Sequence, residues 1–216
     1  YLYGSNISTG ANDNGYPLII DISSPLAPHY VGHFIVGSGN AYVHDGYVEN
    51  DTAYFCHIYQ PGFISIVNCA NPANPVELAP HVATPNTFPH NTWLSNDHKT
   101  MFTTDEVNNS YLTAYDISDL QNITELSRFQ HDPGSNTIVH NVHTVNGDWT
   151  VTSWYTEGVV ITDESHPHNP IEVGYYDTYP ANNSGNFDGD WGVYPFLPSG
   201  NLVVSDMSNG LFVLGP

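Results

Sequence analysis

Short apolar runs, each closed by an Asp or Asn and a turn, return at near-regular spacing along the chain. Residues 158–174 read GVVITDESHPHNPIEVG and residues 16–32 read YPLIIDISSPLAPHYVG. Related stretches begin at Gly62 and Ser110, and a shortened copy, GLFVL, lies near the C-terminus. In each, β-branched or aliphatic residues lead into Asp21, Asn68, Asp116 or Asp163, then a turn usually rich in proline, then a run of alternating polarity. That is strand, turn, strand. The apolar run fills a buried strand. The Asp or Asn side chain caps the turn, and proline fixes the backbone while removing a donor. The copies recur about every 47 to 50 residues, a period found in arrays of four-stranded blades.

Laid out on that period, the second repeat predicts strands at Ala41–Val48, Thr52–Ile58, Phe63–Val67 and Val76–Leu78. The third gives Thr87–Leu94, Thr100–Thr104, Tyr111–Tyr115 and Thr124–Phe129. The fourth gives Thr137–Val145, Thr150–Trp154, Val159–Thr162 and Ile171–Tyr175. The first repeat contributes Tyr1–Gly4, Leu18–Ile22 and Tyr30–Phe34, and the last Trp191–Phe196, Leu202–Ser205 and Leu211–Leu214. No long amphipathic helix competes. The expectation is one all-β domain over residues 1–216, a β-propeller of about five four-stranded blades with the first and last incomplete. The first blade lacks an innermost strand. Either the blades close as a ring or they form a segment of a larger propeller. Open sheet edges pair with something, so the terminal strands are expected to meet each other or to self-associate with a second chain.

Charge narrows the partners. Lys99 and Arg128 are the only Lys or Arg against 22 carboxylates, a formal net charge of −20. Such a surface repels phosphate backbones and anionic membranes, which excludes nucleic acid as a partner. It attracts divalent cations and suits a salty exterior, although solubility alone accounts for most of these carboxylates. No run of about 18 apolar residues is present to span a membrane. The N-terminal YLYGSNISTG has no basic region followed by an apolar core. Either a leader has been removed or the chain is a segment of a longer protein. Loops are expected at Thr9–Gly15 and Pro180–Gly189. Cys56 and Cys69 fall on adjacent strands, unequally spaced from the Gln60–Gly62 turn, and read as two buried thiols.

The candidate chemistry sits at matched repeat positions. His44, His90 and His140 each lie near the start of an innermost strand, with Trp191 at that place in the last repeat. A second column at the far end of the next strand reads Asn6, His57, Asp105, Tyr155 and Asp206, with Glu106 and Glu157 close by. Antiparallel pairing returns that end to the face where the histidines start, so both columns converge at one mouth of the central channel. His44, His90, His140, His57, Asp105 and Asp206 are therefore candidate ligands for a divalent ion, zinc-like or calcium. The competing reading is structural, with imidazoles and the residues after them (Asp45, Asn91, Asn141) tying one blade to the next. His143 lies on the opposite strand face from His140. Trp93, Trp149, Trp154, Tyr175 and Phe212 read as packing between blades. A carbohydrate platform of Tyr175, Tyr176, Tyr179, Trp191 and Tyr194 is the alternative. No GxSxG motif, phosphate loop, dinucleotide fingerprint, HExxH or CxxC pair occurs, so no organic cofactor is implied.

The runs PLIIDISSP, ISIVNCANPANP, YDISDLQNI and VVITDESHPHNP resemble LVIVD repeats. PHNTWLSND, MFTTDE, IVHNVHTV, SWYTEGV, EVGYYDTYP, WGVYPFLPSGNLVVSD and GLFVL resemble the choice-of-anchor B family of secreted bacterial proteins. That resemblance implies an exported propeller at the cell surface, with no established reaction. Two function classes follow. One is an extracellular binding or adhesion module whose acidic face holds a divalent ion and presents loops to a glycan or protein. The other is a metal-dependent hydrolase or lyase, with the ion acidifying water or polarising a substrate oxygen and Asp105, Glu106 or Tyr155 handling protons.

Overall fold

The computed structural model describes residues 1–4, 16–36, 42–59, 61–182 and 184–215. Asn6, the Thr9–Gly15 loop, Ala41 and Gln60 lie outside the described residues. The described chain forms five antiparallel sheets in sequence order. The first sheet is β1 (Leu2–Gly4), β2 (Leu18–Asp21) and β3 (His29–His33). The second runs β4 (Asp45–Glu49), β5 (Thr52–His57), β6 (Phe63–Asn68) and β7 (Val76–Glu77), with β8 (Val82–Ala83) also pairing along β6. The third holds β9 (Pro89–Leu94), β10 (Thr100–Asp105), β11 (Leu112–Asp116) and β12 (Thr124–Phe129). The fourth holds β13 (Val139–Val145), β14 (Trp149–Trp154), β15 (Gly158–Asp163) and β16 (Ile171–Tyr176). The fifth is β17 (Asp190–Tyr194), β18 (Leu202–Asp206) and β19 (Gly210–Leu214). The fold is a β-propeller of about five blades with the first and last incomplete, as the repeat predicts. The two-residue β8 is the strand that the repeat does not predict.

Each blade buries its faces against its neighbours. Ile19, Phe34, Phe55 and Val67 join blade 1 to blade 2, and Tyr54, Ile64, Leu94 and Met101 join blade 2 to blade 3. Phe102, Leu112, Val142 and Trp154 fill the next interface, and Val151, Val159, Val193 and Val204 the last. A middle strand is therefore apolar on both sides: every residue of β10 is buried. Among the described residues no strand ladder links blade 1 to blade 5, so stacking of successive sheets carries the assembly. Trp93, Trp154 and Phe212 pack between blades as expected. Trp149 and Tyr175 do not: they remain 43% and 61% exposed. Both cysteines are buried free thiols.

Side chains stitch the innermost strands. The Asn91 amide donates to Asp45 Oδ2 at 2.9 Å in blade 2, and its oxygen accepts the Val142 amide at 3.1 Å from blade 4. Asn141 continues the series by donating to the Trp191 carbonyl at 3.3 Å. Deeper along the same strands, Tyr47, Trp93, His143 and Phe196 form an aromatic layer from blade 2 to blade 5, with ring separations of 4.2, 4.8 and 5.6 Å. Trp93 also stacks on Phe196 at 5.7 Å, across blade 4.

Asn91→Ala removes the acceptor from the buried Val142 amide and the donor from Asp45. It is expected to lower stability by about 1–3 kcal/mol in urea denaturation while the β-sheet circular dichroism persists.

Candidate metal centre

His90 and His140 lie where the inner strands slip out of register with their neighbours. The β9–β10 ladder shifts between Thr104 and Asp105, leaving His90 without an opposite partner. The β13–β14 ladder jumps from Val139 to Val142, which releases His140 and Asn141, and the β17–β18 ladder skips Trp191. An extra residue of this kind kinks a strand and re-aims its side chain. The same irregularity at the same repeat position frees His90, His140 and Trp191 from the ladder, whereas β4 (Asp45–Glu49) pairs with β5 in unbroken register. His44 sits just ahead of β4, where its amide donates to the Cys56 carbonyl at 2.8 Å.

These residues form an arc. The His44 and His90 rings lie 4.7 Å apart in an edge arrangement, and those of His90 and His140 4.1 Å apart. Glu106, directly after β10, is pinned by its amide to the Phe88 carbonyl at 3.1 Å. Its carboxylate approaches His90 Nε2 at 3.7 Å and His140 Nε2 at 3.4 Å. The Tyr155 hydroxyl, on the short turn Tyr155–Glu157 after β14, donates to Glu106 Oε1 at 2.6 Å. One ligand atom each from His44, His90 and Glu106 lie within 4.8 Å of one another.

The electrostatics suit a cation. Burial, with His140 and His44 nearby, holds His90 well below the ordinary imidazole range, and its Nδ1 has no hydrogen-bond partner. Burial also takes His140 down to about 4, against the opposing pull of its bond to the Trp191 carbonyl. Both imidazoles are thus neutral at pH 7, the form that ligates metal. Burial raises the Glu106 carboxyl, while the Tyr155 hydroxyl and His44 ease it. Burial and the bond to Glu106 push the Tyr155 phenol far above its usual value, so it stays a donor. Two imidazoles and one carboxylate match a zinc-type set with a coordination position left open. Calcium, which takes six to eight oxygens, fits this donor set poorly.

The other sequence candidates lie elsewhere or serve other bonds. His140 reaches the cluster through Glu106, while its Nδ1 ties to the Trp191 carbonyl in the next blade, the stitching expected of a structural histidine. His57 bonds Ser65 Oγ through Nε2 at 2.9 Å and stacks on Phe63. Asp105 accepts from Thr84, Phe88 and Asn86, which folds the connection into β9 around it. Asp206 caps a turn through the Ser208 and Asn209 amides. Glu106, expected from the sequence as a proton-handling group, instead stands among the imidazoles. The register shift at Thr104/Asp105 moves the mouth-facing carboxylate one residue past the column.

Asp190 opens β17 opposite Asp206 and is fully buried, with neither oxygen closing a hydrogen bond. Burial raises its pKa from the ordinary 3.8 to about 8; the nearby Ser153 hydroxyl and Gly192 amide ease it, and Asp206 adds repulsion. The folded state therefore keeps a proton that the unfolded chain releases, and stability falls as pH rises from about 4 to about 8. Asp190→Asn is expected to be more stable than the parent at pH 8.5, with the gap closing toward pH 4, as measured by urea denaturation at both ends.

No protein-family model and no curated protein matches the chain. Solved structures do. The periplasmic gluconolactonase of Pseudomonas aeruginosa superposes with a TM-score of 0.73 at 13% identity, covering 99% of this chain and 62% of that one. A putative 6-phosphogluconolactonase from Bacteroides fragilis gives 0.66 at 13% identity over 94% of this chain and 66% of its own. The β-propeller domain of a Myceliophteria thermophila protein gives 0.60 at 11% identity, over 92% and 62%. The chain thus spans less than two thirds of the length of each. At these identities the likeness concerns the fold alone.

Proposed function

We propose that this chain is an extracellular β-propeller binding module, of the LVIVD-repeat, choice-of-anchor B type that its sequence resembles. Its channel mouth holds a zinc-like divalent ion through His44, His90 and Glu106. The observation that carries the reading is the meeting of those three ligand atoms within 4.8 Å, two of them from imidazoles on successive blades. A bound ion supplies the positive charge that a chain with one Lys and one Arg cannot, and so attracts an oxygen-rich ligand such as a glycan or an acidic protein loop. His140 and Tyr155 position the Glu106 carboxylate. The acidic surface and the resemblance to secreted proteins support an exported protein.

After metal-replete purification, elemental analysis should give about one zinc-like ion per chain. His90→Ala should lose it while retaining β-sheet circular dichroism. Metal-free wild-type protein, or a His90→Ala protein that keeps its ion, would overturn the reading.

The Tyr155 hydroxyl, 2.6 Å from Glu106 and held protonated, favours a second reading: a metal-dependent hydrolase or lyase at the same mouth. Lactonases among the structures of similar fold make sugar lactones the first substrates to assay. In that case Tyr155→Phe is expected to lower kcat by about 100-fold with metal retained, as for loss of a hydrogen-bond donor to a developing oxyanion. A binding module would turn over none of them.

A further inference from the structure

A polar cavity of about 240 Å³ opens on the outer part of blade 4 and is lined by His131, Asp132, Glu157, Tyr175 and Asp177. The turn that aims Tyr155 at Glu106 places Glu157 here. The chain leaves that turn through Gly158 at φ +82°, so close to the Tyr176 carbonyl that a side chain would collide with it. Glu157 is only 3% exposed. Its Oε1 accepts from the Ser135 hydroxyl at 3.1 Å, and its Oε2 has no hydrogen-bond partner. Burial raises this carboxyl above its ordinary range; Thr137, His131 and Ser135 ease the shift and the Asp132 charge adds to it. An incoming positive charge would relieve that strain.

The surroundings define which charge. Asp132 is exposed at the cavity edge, and Asp177 accepts the Tyr179 amide at 2.7 Å. His131 is held by Glu172 at 2.8 Å and stands 4.8 Å from the 61%-exposed Tyr175 ring. The chain's one Arg and one Lys are paired elsewhere, Arg128 with Glu125 and Lys99 with Asp97, and the cavity's own imidazole, His131, is held by Glu172. Among the described residues, only His44, His90 and Glu106 bring three ligand atoms close enough for one metal ion. Here the carboxylates are spread around a space far larger than an ion, beside an open aromatic face. That combination suits an ammonium group, which takes separated acceptors and an aromatic wall.

We propose that this cavity binds a primary ammonium group carried on a small polar molecule, with Glu157 and Asp132 as its anionic partners and Tyr175 as its wall. The site is independent of any ion at the channel mouth.

The test is an amide NMR titration of the whole chain with methylammonium chloride and with D-glucosamine hydrochloride. Sodium chloride, calcium chloride and D-glucose serve as controls. Both amines are expected to shift residues 131–135, 155–158 and 172–178 saturably, and D-glucose and sodium to leave them unmoved. Tyr175→Ala should weaken the amines about threefold, the worth of an exposed cation–π contact. Glu157→Gln should weaken them about tenfold or more, since it removes a desolvated charge. Asp132→Asn, at an exposed position, should weaken them measurably without endangering the fold, and His90→Ala should leave them unchanged. The proposal is overturned by saturable shifts with neither amine or by equal shifts with D-glucose. It is also overturned by a calcium response that the amines do not reproduce, or by amine binding indifferent to both Tyr175→Ala and Asp132→Asn.

Discussion

The Asn91 side chain spans three blades, bonding Asp45 on one side and the Val142 amide on the other. The arrangement at the mouth depends on that spacing. A blade cannot bury its own faces, so neighbours must stack, and apolar packing alone tolerates some sliding. Directional bonds from a buried amide do not. They set the height of each inner strand against the next, and the register shifts at the heads of β9 and β13 free His90 and His140 from strand pairing. His90 and His140 end 4.1 Å apart because their strands are locked in height and share the same local irregularity.

Much of this was legible in the residue pattern. The period placed the blades, and Thr124–Phe129 is bounded as the alternation predicts. The rule that an inner-strand start and the next strand's end share a face groups His44, His90 and His140 with Glu106 and Tyr155, and in the structure those rings follow one another beside the Glu106 carboxylate. What the pattern does not carry is the local hydrogen-bond demand at a strand end. Asp105 is consumed by the Thr84 hydroxyl and two loop amides, and Asp206 by its own turn. A one-residue register shift decides which of two adjacent carboxylates faces the mouth, and nothing in the Asp105–Glu106 pair encodes it. Aromatic residues are similarly ambiguous: Trp149, opening β14, and Tyr175, on the outermost strand β16, have the composition of packing residues and stay exposed.

The charge of the chain and its buried groups tell a consistent story. With 22 carboxylates and two basic side chains, long-range repulsion disfavours any further anion in the interior. The protein meets this by keeping Asp190 and Glu164 in surroundings that favour the protonated form, and by giving the Glu106 carboxylate the Tyr155 hydroxyl as a donor. An incoming cation is the inexpensive way to restore balance at such places.

The aromatic layer of Tyr47, Trp93, His143 and Phe196 has a consequence for traffic. It lies about three residues, roughly 10 Å, along the inner strands from the histidines. With Trp93 and Phe196 stacked across blade 4, the layer ties four blades together by ring contacts. Those rings lie between the imidazoles and the far ends of β4, β9 and β13, so a solute moving along these strands from that end meets aromatic faces before it meets His90.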